Sequence, residues 1–84
     1  MEGDQYKFPI LSVNVRGICD YVRRRKLLNW LTKHDMDKGI SFIQETHSVE
    51  KSELYWQNHW RGTCFFSHGT SQARGAIILI GEKL

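Results

Sequence analysis

The stretch Ile40-Ser41-Phe42-Ile43-Gln44-Glu45-Thr46-His47 begins as a strand and ends in four polar side chains. Ile, Phe and Ile are strand-forming residues that can be held in a core, whereas Gln44 to His47 stand where a strand leaves a sheet. A strand of this kind fixes polar groups at a sheet rim and aims them at a ligand. Working upstream, Ile10-Leu11-Ser12-Val13-Asn14-Val15 alternates apolar and polar residues and stops at Arg16-Gly17. It reads as a second strand, with Pro9 at its entry, where no ladder donor is needed.

Between the two strands, Tyr21 to about Thr32 reads as a helix. Leu27, Leu28 and Leu31, with Tyr21, Val22 and Trp30, recur at helical spacings, and Asp20 suits the N-cap. The polar turn Asp35 to Gly39 follows. Strand, helix, strand at this spacing predicts a βαβ crossover with parallel strands, whose carboxyl ends share one edge. Asn14 and Glu45 should therefore meet there, at the edge where α/β sheets bind ligands.

Downstream, Ser48 is placed to cap a second helix from Val49 to about Trp60, with Glu50 near its start. Trp56 and Trp60 share a face and read as core. Gly62 breaks the helix, Thr63 to Ser67 is a short strand, and Gly69 to Gly75 is a flexible connection. Ala76-Ile77-Ile78-Leu79-Ile80 is the last strand, expected to pair antiparallel with the Phe65 strand. Its unbroken apolar run suits a strand covered on both faces. Two helices do not cover four strands on both sides, so the expectation is the front part of a larger fold, or a covering partner.

The 84 residues, 40% hydrophobic and 25% charged, fit one small domain or a piece of one and exclude a disordered chain. A net charge of +3 permits nucleic-acid contact without arguing for it. No apolar run approaches the roughly 20 residues of a membrane helix. Met1 to Gln5 is too acidic for a signal peptide. Cys19 and Cys64 form no CxxC pair. Both read as reduced thiols in an intracellular protein, nuclear or cytoplasmic, with a disulfide between them the disfavoured alternative.

Together, Ser12-Val13-Asn14-Val15-Arg16-Gly17-Ile18, the basic helix ending Leu27-Leu28-Asn29-Trp30-Leu31, and Ile43-Gln44-Glu45-Thr46-His47 resemble the opening motifs of the endonuclease/exonuclease/phosphatase superfamily. More narrowly, they resemble the apurinic-type endonuclease domain of LINE-type (non-LTR) retrotransposon proteins. Gly62 to Gly75, running into Ala76 to Ile80, is similar to that family's next hairpin. The resemblance spans about Ile10 to Ile80. It implies an α/β (α+β) fold, the N-terminal part of a four-layer α/β/β/α sandwich in the order β-α-β-α-β-β. Residues 1–8 would be a flexible lead-in and 9–84 a truncated domain.

The activity implied is Mg²⁺-dependent hydrolysis of DNA phosphodiesters, with Mn²⁺ as a possible substitute. Glu45 would bind the metal and Asn14 would organise the phosphate and catalytic network. Gln44, Thr46 and His47 would support them; apart from the resemblance, Arg16, and Arg74 in its glycine-rich loop, are candidates to reach DNA. One or two carboxylates with water and substrate phosphate is how Mg²⁺ is held. An amide such as Asn14 can orient a carboxylate without adding charge. The family's later Asp-x-Asn and Asp-His motifs have no match: Asp35-Met36-Asp37 precedes the glutamate strand, and Ser67-His68-Gly69 has no aspartate. Alone, this chain is expected to cleave inefficiently, for want of a positioned base.

Each candidate has a plainer reading. On spacing alone, Glu45 is a solvated rim carboxylate and Asn14 a turn former. Arg23-Arg24-Arg25-Lys26 reads first as the solvated face of its helix, ahead of a phosphate-binding run or a nuclear signal. A zinc site from His47, His59, His68 and Cys64 lacks ligand spacing.

Overall fold

In a computed structural model of the chain, which describes residues 7–18, 20–69 and 74–84, the elements alternate as the patterning requires. They are β1 (Ile10–Asn14), α1 (Tyr21–Lys33), β2 (Ile40–Gln44), α2 (Glu53–His59), β3 (Gly62–Ser67) and β4 (Ala76–Gly81). The expected order β-α-β-α-β-β is therefore the observed one. Most of the lead-in, Cys19 and the middle of the Gly69 to Gly75 connection lie outside the described residues.

The four strands form one mixed sheet in the order β1-β2-β4-β3. β1 and β2 run parallel, with Asn14 opposite Gln44. β4 enters between β2 and β3 and pairs antiparallel with both. Because β4 runs against β2, its first residues lie at the edge where β1, β2 and β3 end.

The period-two alternation of the strands decides which face is covered. Leu11, Val13, Ser41, Ile43, Ile77, Leu79, Cys64 and Phe66 fall in register on one side and pack with Leu28, Leu31, Met36, Trp56 and Trp60. Leu31, Ile43, Trp56, Ile77 and Leu79 are wholly buried. Trp60 closes one flank, its indole donating to the Ile80 carbonyl at 3.0 Å. The opposite side carries Ile10, Phe42 and Phe65, all exposed, with Ile78 and Ile80 half-buried. β4 is thus covered on one face in this structure; on the other, its isoleucines belong to an apolar surface.

Asp20 caps α1 as its position implies, its carboxylate accepting from the Val22 amide at 2.8 Å. Such a cap contributes about 1 kcal/mol. Two expectations need correction. Tyr21, Val22 and Trp30 do not belong to the buried face of α1; each is about half exposed, and Trp30 lies against His34. Thirteen residues give α1 a buried stripe only wide enough for Leu28 and Leu31, with Leu27 at its edge. The second helix also starts late. Val49 is extended, Glu50–Ser52 make a 3-10 turn, and Ser48 caps nothing because its hydroxyl is bonded elsewhere.

Candidate functional site

Strand register brings Asn14 and Gln44 side by side, and the chain then departs from strand geometry in a way that matters for Glu45. Continued alternation would point Glu45 to the helix-covered side with Ile43. Instead Glu45 takes a left-handed backbone, φ 55°, and so does His47, φ 50°. Non-glycine residues seldom adopt this region, and they do so where surrounding structure holds them. Here the hold is visible. The Gly17 amide donates to the Glu45 carbonyl at 2.7 Å and Ile18 to that of Thr46 at 2.9 Å. From the other side, the amides of Thr46 and His47 donate to the carbonyls of Gly75 and Arg74, at 3.3 and 2.8 Å. The turn redirects the Glu45 carboxylate onto the side occupied by Asn14.

There the Asn14 amide donates to Glu45 Oε2. Its orientation is set by the Arg16 backbone N–H, which donates to Asn14 Oδ1 at 3.1 Å and leaves Nδ2 facing the glutamate. The other carboxylate oxygen, Oε1, receives Arg74 Nη1 at 2.6 Å. These contacts hold the Glu45 carboxyl below the usual carboxylate range: first the Asn14 hydrogen bond, then that of Arg74, with the Arg74 and Arg16 charges adding to them against a small cost of burial. Both partners favour the ionised form.

The sign for stability follows. A carboxyl depressed on folding contributes stability above its unfolded-state pKa and loses it as pH falls through the lower folded value. A ¹³C titration of the Glu45 carboxyl is expected to give a midpoint below that of a free glutamate, and Asn14→Ala should raise it. An unchanged midpoint in Asn14→Ala would show that the amide does not stabilise the anion.

Of the remaining candidates, Gln44 turns back along the open face and donates to Ser12 Oγ at 2.6 Å. Arg16 contributes its backbone N–H and its charge; its side chain is exposed. His47 is exposed beside Gly17. Thr46 is fully buried, and its hydroxyl meets Ser48 Oγ at 2.9 Å. Arg74 makes the most direct contact with Glu45 of any cation, while its side chain stays largely exposed. Gly75, φ 79°, permits the turn beside it; a Cβ there would stand 3.1 Å from Thr46 Oγ1.

The four zinc candidates do not converge. His59 lies on Tyr55, His68 bonds Ser48 and Glu53, and Cys64 is a free thiol whose burial pushes it up to about 11. Among the described residues, no three His, Cys, Asp or Glu side chains come together. The bonds of Ser48, Glu53 and His68 are absent from the sequence reading. Ser48 reads as a cap, and nothing local pairs residues so far apart in the chain.

The fold and the rim define a small α/β domain with an amide, an ionised carboxylate and an arginine joined at the carboxyl edge of its sheet. The chain is similar to a transposon protein, the Transposon TX1 uncharacterized 149 kDa protein of Xenopus laevis, at 30% identity over 74 residues. The match takes in 88% of this chain and 6% of that protein, so the chain spans a small part of the relative's length. No family model matches the chain. Among the described residues, no helix is long and apolar enough to cross a membrane.

Proposed function

We propose that the chain is the N-terminal part of a Mg²⁺-dependent DNA endonuclease domain from a retrotransposon-derived protein, within the endonuclease/exonuclease/phosphatase superfamily. The observation that carries this reading is the meeting of Asn14 and Glu45 at the ends of two parallel strands, with the carboxyl held ionised. The similarity to a transposon protein supports the origin in coarser terms. The exposed Ile10, Phe42 and Phe65 give the sheet a second apolar face, as a two-sheet sandwich requires.

The rim fits Mg²⁺ (or Mn²⁺) on the chemistry of its donors. Glu45 is an ionised hard-oxygen ligand, and Mg²⁺ takes one or two such groups. When bound, the metal would polarise the phosphoryl oxygens and steady the leaving oxygen. Glu45 would hold it, and Asn14 would keep the carboxylate turned toward it. Arg16 and Arg74 would draw the phosphate backbone in, with Gln44, Thr46 and His47 fixing the rim around them.

A second reading, a catalytically inactive remnant that binds nucleic acid weakly, is favoured by one specific feature. Arg74 already satisfies the carboxylate, and the two arginines leave the rim positive. Nicking of supercoiled plasmid separates the two. In Mg²⁺ the 84-residue chain is expected to nick slowly, since it carries no Asp-His pair to activate water, and Glu45→Ala is expected to show no nicking at all. Equal nicking by the two proteins would remove Glu45 from the metal site. Absence of Mg²⁺-dependent nicking in both would favour the binding module.

A further inference from the structure

Behind the rim, four polar side chains from three separate parts of the chain are joined in a line. Thr46 Oγ1 meets Ser48 Oγ at 2.9 Å, Ser48 Oγ meets His68 Nδ1 at 2.9 Å, and His68 Nε2 meets Glu53 Oε2 at 2.5 Å. Thr46 and Ser48 are buried, so their hydroxyls depend on these partners. The line crosses the start of β4: it links the end of β2 to the end of β3, which are not neighbours in the sheet, and reaches the first turn of α2.

The geometry points to His68 as a positioning residue for Glu45, acting through Ser48 and Thr46; its catalytic meaning rests on the endonuclease reading above. Thr46 stands between the two left-handed residues, Glu45 and His47. Its backbone is tied to β1 through Ile18 and to β4 through Gly75, and its side chain is tied to Ser48. Rotation of Thr46 would carry Glu45 away from Asn14 and Arg74. The side-chain tie removes that freedom, and His68 anchors it.

With a carboxylate at one end and a neutral imidazole beside it, the donor inventory allows the line one direction. An ionised Glu53 only accepts, so His68 donates from Nε2. With imidazole neutral, Nδ1 then accepts the Ser48 O–H, and Ser48 Oγ accepts the Thr46 O–H. Thr46 Oγ1 remains open to the Ser48 backbone N–H, found at 3.4 Å. Every hydroxyl donates once, and none competes for the Glu45 carboxylate. Such an arrangement holds the rim without entering it, as supporting residues of a functional group do.

The test is NMR on the full 84-residue chain without metal or DNA, so that it stands apart from the nuclease question. In the unaltered protein, ¹⁵N shifts of His68 are expected to show a protonated Nε2 and an unprotonated Nδ1. The Asn14 side-chain amide and the Arg74 guanidinium should give signals shifted from those of free side chains by their bonds to Glu45. His68→Leu removes both bonds, and both sets of signals should revert to those of free side chains. His68→Asn places an amide near the former Nδ1, restores the bond to Ser48, and is expected to bring the signals back. Should His68→Leu fail to fold, Ser48→Ala breaks the same line by losing a single oxygen and should release the signals in a folded chain. Unchanged Asn14 and Arg74 signals in a folded His68→Leu or Ser48→Ala chain would overturn the proposal. So would an Nδ1–H tautomer, or a His68→Asn chain that behaves like His68→Leu. If Glu45 proves irrelevant to nicking while these signals respond as expected, the positioning stands and the endonuclease reading falls.

Discussion

Truncation of Trp56 to alanine is expected to remove much of the folding free energy of this chain. The indole is wholly buried and sits among Leu31, Ile43, Ile77 and Leu79 in the cluster between the helices and the sheet. Removal of a buried Trp side chain costs about 3–5 kcal/mol, from lost transfer energy and the cavity left behind. A chain of this size has only about 0.05–0.15 kcal/mol of stability per residue. The loss is therefore a large fraction of the whole, and the urea midpoint should fall by roughly 1–5 M for typical slopes. Far-UV circular dichroism suits the measurement, because the substitution itself alters fluorescence. Trp56→Phe provides the contrast. Among the described residues, Trp56 Nε1 has no hydrogen-bond partner, so phenylalanine gives up volume and no bond. Its cost should be well under that of alanine. A Trp56→Ala midpoint close to that of the unaltered chain would mean that the core closes without the indole.

How far the sequence announces this architecture depends on how local each signal is. The βαβ unit is written in short-range periodicity, period two in Ile10–Asn14 and Ile40–Gln44 and helical spacing in Leu27, Leu28 and Leu31. Parallel pairing then follows from connectivity, and it delivers Asn14 beside Gln44. The entry of β4 between β2 and β3 is not written locally. Ile77 and Leu79 suit any buried strand, and their partners are fixed only when the sheet assembles. The exposure of Trp30 is hidden for a related reason. Helical spacing marks a face, but the width of the stripe that is covered depends on what packs against it.

The candidate site divides along the same line. Glu45 and Asn14 are legible because strand ends are legible. The left-handed backbone that turns Glu45 toward Asn14 is not, since glutamate carries no preference for it and long-range bonds from Gly17 and Thr46 impose it. The Arg74 contact and the Ser48–His68–Glu53 line arise only once the end of β3 and the start of β4 are brought to the rim. Ser48 shows the ambiguity well: a serine just ahead of a helical stretch is a good cap by type, yet its hydroxyl serves a half-buried histidine instead.

Replacement of Glu45 is expected to abolish divalent-cation binding at the rim, whereas replacement of its partner Arg74 should strengthen it. Mn²⁺ serves as the probe, because it broadens NMR signals near its site and takes the same oxygen ligands as Mg²⁺. In the unaltered chain, saturable broadening should centre on Asn14, Glu45 and Thr46. Loss of a residue that merely supports a ligand lowers metal affinity by about 10–100-fold. Loss of the ligand itself should cost no less, so Glu45→Ala should leave only diffuse broadening. Arg74 presents the opposite case. Its guanidinium sits 2.6 Å from Glu45 Oε1, occupies one oxygen and repels an arriving cation. Arg74→Ala frees the oxygen and removes the charge, and affinity at low ionic strength should rise by up to about tenfold for a solvent-facing site. Weaker Mn²⁺ binding in Arg74→Ala would show that the arginine holds the carboxylate in its binding position, so that its steric role exceeds its charge. Broadening that persists at Asn14 in Glu45→Ala would exclude Glu45 as the ligand. With Glu45 required and Arg74 opposing, the rim would be a cation site that arginine occupies until a metal displaces it, and the guanidinium then released stands beside the position a phosphate would take.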